Sequence, residues 1–186
     1  MTQSNKRNSD GTKQAIIEAA QIIFTRHGYD MAPTRDIAAM AGVNVALINR
    51  YFGSKEGLFD QAVMPSFAPD GSPMIGDPKD LPDVFVGMML KKPDEDEFNP
   101  LHAALKSAGS EVVGKKLRKA LDANLIEPFA EWMGKDGRQK AVAMWSTVLG
   151  YEMLNGVMGM STGSKKRKDE LETILRASFA SVVNAS

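Results

Sequence analysis

A chain of 186 residues with no cysteine has room for one large domain or two small ones, and it excludes a disulfide scaffold, a thiol nucleophile and any Cys-ligated zinc or iron–sulfur site. Apolar residues at 43% and charged residues at 25% are the proportions of a folded globular protein rather than of a disordered one. The 23 basic side chains balance 23 acidic ones, so this is no basic nucleic-acid coat, and any contact with nucleic acid must be a local patch.

Residues 1–11 (MTQSNKRNSDG) hold no apolar side chain after Met1 and read as a flexible arm carrying Lys6 and Arg7. The same polarity lacks the apolar core of a secretory signal, and a cytoplasmic location is expected. A helical period starts at Thr12, a plausible cap, with Ile16, Ala20, Ile23 and Phe24 on one face and Gly28 as the stop. Pro33-Thr34 opens a second helix, with Asp36 at its positive end and Ile37, Ala38 and Ala41 apolar. Gly42 breaks it. Asn44 caps a third helix holding Leu47, Ile48, Tyr51 and Phe52, and Ser54 caps a fourth with Leu58, Phe59, Ala62 and Val63. Five prolines between Pro65 and Pro82, with Gly71 and Gly76, mark a connecting loop over 65–82.

Beyond it the pattern is helical throughout, over 83–91, 100–108, 111–133, 136–160 and 168–184, with Pro128 expected to kink the third of these. No strand-like alternation occurs. The fold class is therefore all-α with about nine helices: a helix-turn-helix domain at 12–64 and a larger helical domain at 83–186. Ala141–Met160 is twenty residues long with one charge, Glu152, a length that could span a bilayer. Its Ser146, Thr147, Asn155 and three glycines, and a carboxylate at its middle, favour a buried helix of a water-soluble domain instead.

Two matches to enzyme motifs fail on context. Gly159–Gly163 fits G-x-S-x-G, but that turn follows a strand and its base histidine comes later in the chain; here the histidines are His27 and His102, both earlier. Gly109–Lys115 fits G-x-x-x-x-G-K, but Lys116 replaces the magnesium-holding hydroxyl. No spacing suits a metal, and no cofactor is expected. The run Lys165-Lys166-Arg167-Lys168 reads as a solvated loop between helices.

The segment Thr34–Phe52 carries chemistry. Two short helices joined by Ala41-Gly42-Val43-Asn44 have the spacing of a helix-turn-helix, with Gly42 supplying the positive φ of the turn. An ordinary helical hairpin fits that spacing equally well. The exposed donors Tyr51, Arg50 and Lys55 distinguish the two, since a packing hairpin has no reason to gather donors on its outer face.

The residues Thr12-Lys13, Ala19-Ala20, Phe24, Gly28-Tyr29, Thr34, Ile37-Ala38, Ala41-Gly42-Val43 and Tyr51-Phe52-Gly53-Ser54-Lys55-Glu56-Gly57-Leu58-Phe59 resemble the N-terminal domain of TetR/AcrR-family transcriptional regulators. The resemblance covers about 50 of the 186 residues. It implies a homodimeric regulator, usually a repressor, released from a palindromic double-stranded DNA operator by a small-molecule effector of the larger domain. Carried over by position, phosphate contacts fall on Thr34, Tyr51 and Lys55, and base reading on Asn44, Val45, Ala46, Asn49 and Arg50. Many relatives carry an aromatic residue where Asn49 stands and a lysine where Val45 stands. Asn49 could pair with adenine and Val45 could touch a thymine methyl, so the operator sequence does not carry over. Charge in residues 1–64 supports this only mildly, with seven basic side chains against six acidic ones.

In the larger domain, methionine and aromatic side chains suit an apolar effector. Candidate pocket residues are Phe85, Met88, Met89, Phe129, Trp145 and Glu152. Glu152 needs a partner such as His102, a residue across a dimer interface, or a cationic ligand group. The helices 136–160 and 168–184 are the expected dimer interface.

Overall fold

The computed structural model describes residues 2–67, 77–91, 97–160 and 163–185, all helices and turns. Expected features at Pro69, Gly71, Pro73, Gly76, Ser161 and Thr162 lie outside these residues. The chain divides into two compact units, the first formed by Met1–Ala68 with Asp94–Arg118, the second by Pro69–Pro93 with Lys119–Ser186.

In the first unit the apolar face of α1 (Thr2–Met31) buries Ile16, Ala20 and Phe24 completely. Around it stand α2 (Thr34–Met40), α3 (Ala46–Phe52) and α4 (Lys55–Ala62), which contribute Ile37, Ile48, Leu58 and Phe59, each at most 1% exposed. Burial of each such side chain is worth about 1.5–3 kcal/mol. Phe24 and Tyr29 both meet Phe59 edge to face, with centroids 5.1 and 5.5 Å apart. The backbone of α1 is helical from Thr2, so residues 2–11 of the expected arm are instead an extension of the first helix, and Thr12 lies inside it rather than at its cap. At Gly28 the backbone leaves the helix with φ 68° and ψ −178°, which is the break expected there.

The expected loop at 65–82 is shortened from both ends. Met64–Phe67 and Pro78–Asp80 form 3₁₀ turns, and Leu81 and Pro82 already belong to α5 (Leu81–Leu90). The domain division also differs from the expected single boundary, because α6 (Pro100–Ser107) packs along α1. Polar bonds fix it there. Thr25 Oγ1 accepts from the Asn99 amide at 3.1 Å, and Ser107 Oγ accepts from the Tyr29 amide at 2.9 Å. Lys106 Nζ donates to the carbonyls of Thr25 and Arg26 at 3.1 and 2.9 Å, satisfying the end of α1. Helix α7 (Gly114–Leu121) brings Lys116 between Glu56 and Asp60, one turn apart on α4, at 2.8 and 2.7 Å.

The second unit holds α5, α8 (Glu127–Met133), α9 (Gly137–Tyr151) and α10 (Lys165–Asn184), with α5 packed along α10 and α8 against α9. The expected helix 111–133 begins as a turn and becomes helical at Gly114. It widens into a π turn at Asp122–Ile126 before α8. Pro128 explains the widening, since its ring clashes with the carbonyl four residues back and its nitrogen cannot donate. A second π turn, Glu152–Val157, follows α9. Counting α7, the π turn and α8 as one continuous run gives nine helices among the described residues. The basic run 165–168, expected as a loop, is the exposed first turn of α10. No helix among the described residues is long and apolar enough to cross a membrane. The segment 141–160, expected to be buried, exposes Val142, Leu154, Met158 and Met160 in the single chain.

Candidate functional site

Local chemistry builds the helix-turn-helix. Gly42 takes φ 66°, and the amides of Gly42 and Val43 donate to the carbonyls of Ala39 and Ala38. Asn44 Oδ1 accepts from the Ala46 amide at 2.9 Å, which starts α3 with its partners satisfied. Buried Ile48 and Phe52 hold α3 to the core, and this fixes which side of it faces out. The outward residues are Asn44, Val45, Ala46, Asn49 and Arg50, all exposed. A short helix with an exposed amide, a guanidinium and two small apolar side chains on one face has the groups that read base edges in a major groove.

The three expected phosphate residues stand on α2, α3 and α4 of the same unit. Thr34 is the half-buried first residue of α2. The first bonds of α2 run from the amides of Asp36 and Ile37 to the Pro33 carbonyl, so the amides of Thr34 and Arg35 precede the helical ladder. Tyr51 is half-buried in the last turn of α3, and its phenol oxygen accepts from Ser9 Oγ at 3.3 Å. Lys55 opens α4, which Ser54 caps by accepting from the Gly57 amide at 3.0 Å. Lys55 Nζ donates to the Asp30 carbonyl at 3.3 Å and lies 4.7 Å from the centre of the Tyr29 ring. Burial against that ring lowers the Lys55 pKa from the usual lysine range, while the Asp30 charge opposes the shift. The same burial raises the Tyr29 pKa, helped by the nearby carboxylates of Glu56, Asp30 and Asp60.

Sequence reasoning missed the groups that hold these side chains. Ser9, Tyr29 and Asp30 brace Tyr51 and Lys55, and Lys13 Nζ lies 5.7 Å above the Phe52 ring. The only available signal was the spacing of Ser9, Lys13, Ile16 and Ala20 along one face of a continued α1.

In the second unit, Phe85, Phe129 and Trp145 converge, with ring centroids 5.2 to 6.3 Å apart, and Phe179 joins at 5.5 Å from Phe85. The indole nitrogen of Trp145 is buried with no hydrogen-bond partner among the described residues. Met89 is buried beside Phe85 on α5, whereas Met88 is 45% exposed on the other side of that helix. Glu152 is half-buried in the second π turn. Four of the six candidate pocket residues therefore belong to the buried part of the unit, and Met88 and Glu152 do not. Among the described residues, no three His, Asp or Glu side chains gather as a metal site would require.

Comparison with known proteins bears on both units. Residues 16–62 match the model for bacterial regulatory proteins of the tetR family, and residues 80–183 match the tetracyclin repressor-like C-terminal domain. YttP of Bacillus subtilis, described as an HTH-type transcriptional regulator, is 44% identical over 52 residues, 28% of this chain and 25% of its own length. The HTH-type transcriptional dual regulator CecR of Shigella flexneri is 51% identical over 47 residues, 25% of this chain and 21% of its own. Both matches thus span about a quarter of these relatives.

Whole-chain likeness comes from solved structures. NalD of Pseudomonas aeruginosa, the secondary repressor of the MexAB-OprM multidrug efflux pump, superposes with a TM-score of 0.59 at 16% identity, over 92% of this chain and 95% of NalD. A Mesorhizobium loti protein described as a TetR-family transcriptional regulator gives 0.54 at 18% identity, over 94% and 96%. At such identities these two show the fold alone. Matched over its helix-turn-helix by one family model and over more than half its length by the other, the chain belongs to the TetR family of bacterial regulatory proteins, a family of DNA-binding regulators and not of enzymes.

Proposed function

We propose that the chain binds double-stranded operator DNA as a homodimer and represses transcription in the cytoplasm until a small molecule releases it. The observation that carries this reading is the outward face of α3. It presents Val45, Ala46, Asn49 and Arg50 to solvent, and the same unit carries Thr34, Tyr51 and Lys55 as phosphate donors. Base readers alone would give specificity without affinity, and phosphate donors alone the reverse. Here both sets occupy one small unit.

A single short helix reads too few base pairs for useful specificity, so a two-fold dimer on a palindromic site is the form that suits this face. Exposed apolar side chains of the second unit, Val142, Leu154, Met158 and Ile174, supply the surface such a dimer would cover. The Phe85–Phe129–Trp145 cluster is where an apolar, neutral or cationic effector would act. A ligand that prefers the non-binding state by about 100-fold shifts the equilibrium by roughly 2.7 kcal/mol, enough to clear a moderately occupied operator. The test is a gel shift of the DNA flanking the protein's own gene, with and without a panel of neutral aromatic, cationic lipophilic and anionic acyl compounds. Retention of one duplex at a salt concentration that releases a scrambled one is expected, with release by a neutral or cationic compound. Equal binding to both duplexes would remove the specific-regulator reading. Release by acyl-CoA-type anions alone would remove the effector class.

A further inference from the structure

Ser9 and Lys13 lie one turn apart on α1, on the face that also carries the fully buried Ile16 and Ala20. Both reach the last turn of α3. Ser9 Oγ donates to the Tyr51 phenol oxygen at 3.3 Å across 42 residues of sequence, and Lys13 Nζ lies 5.7 Å from the centre of the Phe52 ring. Tyr51 and Phe52 meet edge to face with centroids 6.4 Å apart. The continued α1 thus grips the end of the exposed helix at two adjacent residues.

Either hydroxyl of the pair can give its proton to the other. A phenol has one proton to give and can also accept. When Ser9 donates to the Tyr51 oxygen, the Tyr51 proton stays available for an acceptor outside the protein. An ionised phosphate can only accept, so it needs that proton. Donation from Ser9 also polarises the phenol and strengthens what it donates in turn. A free phenol would have to give up rotational freedom on meeting DNA, and this one is already held.

We propose that Ser9 is a positioning residue for DNA binding: it orients the Tyr51 hydroxyl so that its proton meets a backbone phosphate of double-stranded DNA. The inference rests on the assignment of Tyr51 as a phosphate donor and adds the residue that sets its geometry. Its effect is independent of DNA sequence, because phosphates carry no base identity.

The test is a double-mutant cycle on the 186-residue chain, read by fluorescence anisotropy at low salt. The probes are a labelled duplex from the region flanking its own gene and a scrambled duplex of equal length. Ser9→Ala is expected to weaken binding to both by about threefold to tenfold, the loss of one oriented hydrogen bond. Its thermal unfolding midpoint should be unchanged or higher, since alanine favours a helix over serine. Ser9→Thr, which keeps the hydroxyl, should restore most of the affinity. In a Tyr51→Phe background, Ser9→Ala should cost nothing further. Equal losses in the two backgrounds, or no loss in either, would overturn the positioning role while leaving wild-type DNA binding intact. A folded wild type that binds neither duplex would overturn the DNA-binding reading and this one with it.

Discussion

Lys55 is held in place by its own protein, between the Asp30 carbonyl and the Tyr29 ring, and this sets how its charge responds to pH. Burial lowers its pKa in the free protein, and a neighbouring phosphate would favour the charged form again. Binding above the lowered pKa therefore takes up a proton. Affinity for any duplex is expected to fall as pH rises through that pKa, before an ordinary lysine would titrate near about 10.4. Lys55→Arg, which stays charged, should flatten the profile in an anisotropy titration. Lys55→Ala should weaken binding to all sequences and reduce the salt slope by about one. Asn49→Ala should instead cost about 1–3 kcal/mol at the preferred site alone, blurring one base position in a randomised-library selection. An unchanged preference in that selection would remove Asn49 from the reading face.

At the scale of single elements, the break in α1 and the clamp on α4 make separate predictions. Gly28 has φ 68° and ψ −178°, a region open almost only to glycine, and an added Cβ would lie 2.6 Å from the Lys106 carbonyl oxygen. Gly28→Ala should cost about 1–3 kcal/mol from backbone strain, with the steric clash added, in urea unfolding. Lys116 is bonded by Asp60 and Glu56, which raise its pKa. A group raised on folding stabilises at neutral pH, and that contribution is lost as pH climbs past the usual lysine value. The three side chains are each about 40% exposed, so Lys116→Met should cost less than about 1 kcal/mol and nothing at high salt.

The helices of the first unit were legible because period, cap and stop coincide at Ile16–Phe24, Asn44, Ser54 and Gly28. The outward side of α3 followed from Ile48 and Phe52 facing the core. What held Tyr51 and Lys55 was not legible. Ser9 lies 42 residues from Tyr51, and Asp30 lies 25 from Lys55; no local pattern encodes such pairings. The arm expected at 1–11 rested on polarity alone, and polarity does not by itself tell a coil from a helix.

For the whole molecule, the exposed apolar residues of the second unit make the dimer testable without disturbing the monomer. Ile174 is 61% and Leu154 50% exposed in the single chain, so aspartate at either position costs little there. A charge enclosed in an interface would cost several kcal/mol. Ile174→Asp and Leu154→Asp should therefore give folded monomers in sedimentation, with weakened operator binding. Variants that remain dimeric with native DNA affinity would place the interface elsewhere. The membership of 97–118 in the first unit predicts in turn that a fragment ending at residue 67 is markedly less stable than the same helices in the full chain. It lacks Ser107, Lys106 and Asn99, which satisfy the end of α1.

That return of the chain decides what can be exchanged between relatives. The family's C-terminal pattern starts at residue 80, yet α6 and the start of α7 belong to the unit that carries the helix-turn-helix. A chimera joined at a single point in the proline-rich connection would graft these DNA-binding helices onto a foreign α6, with Thr25, Tyr29 and Asp30 facing side chains they never evolved beside. A working transplant needs both pieces, so the helix-turn-helix unit of this protein is inherited as two separated stretches of gene.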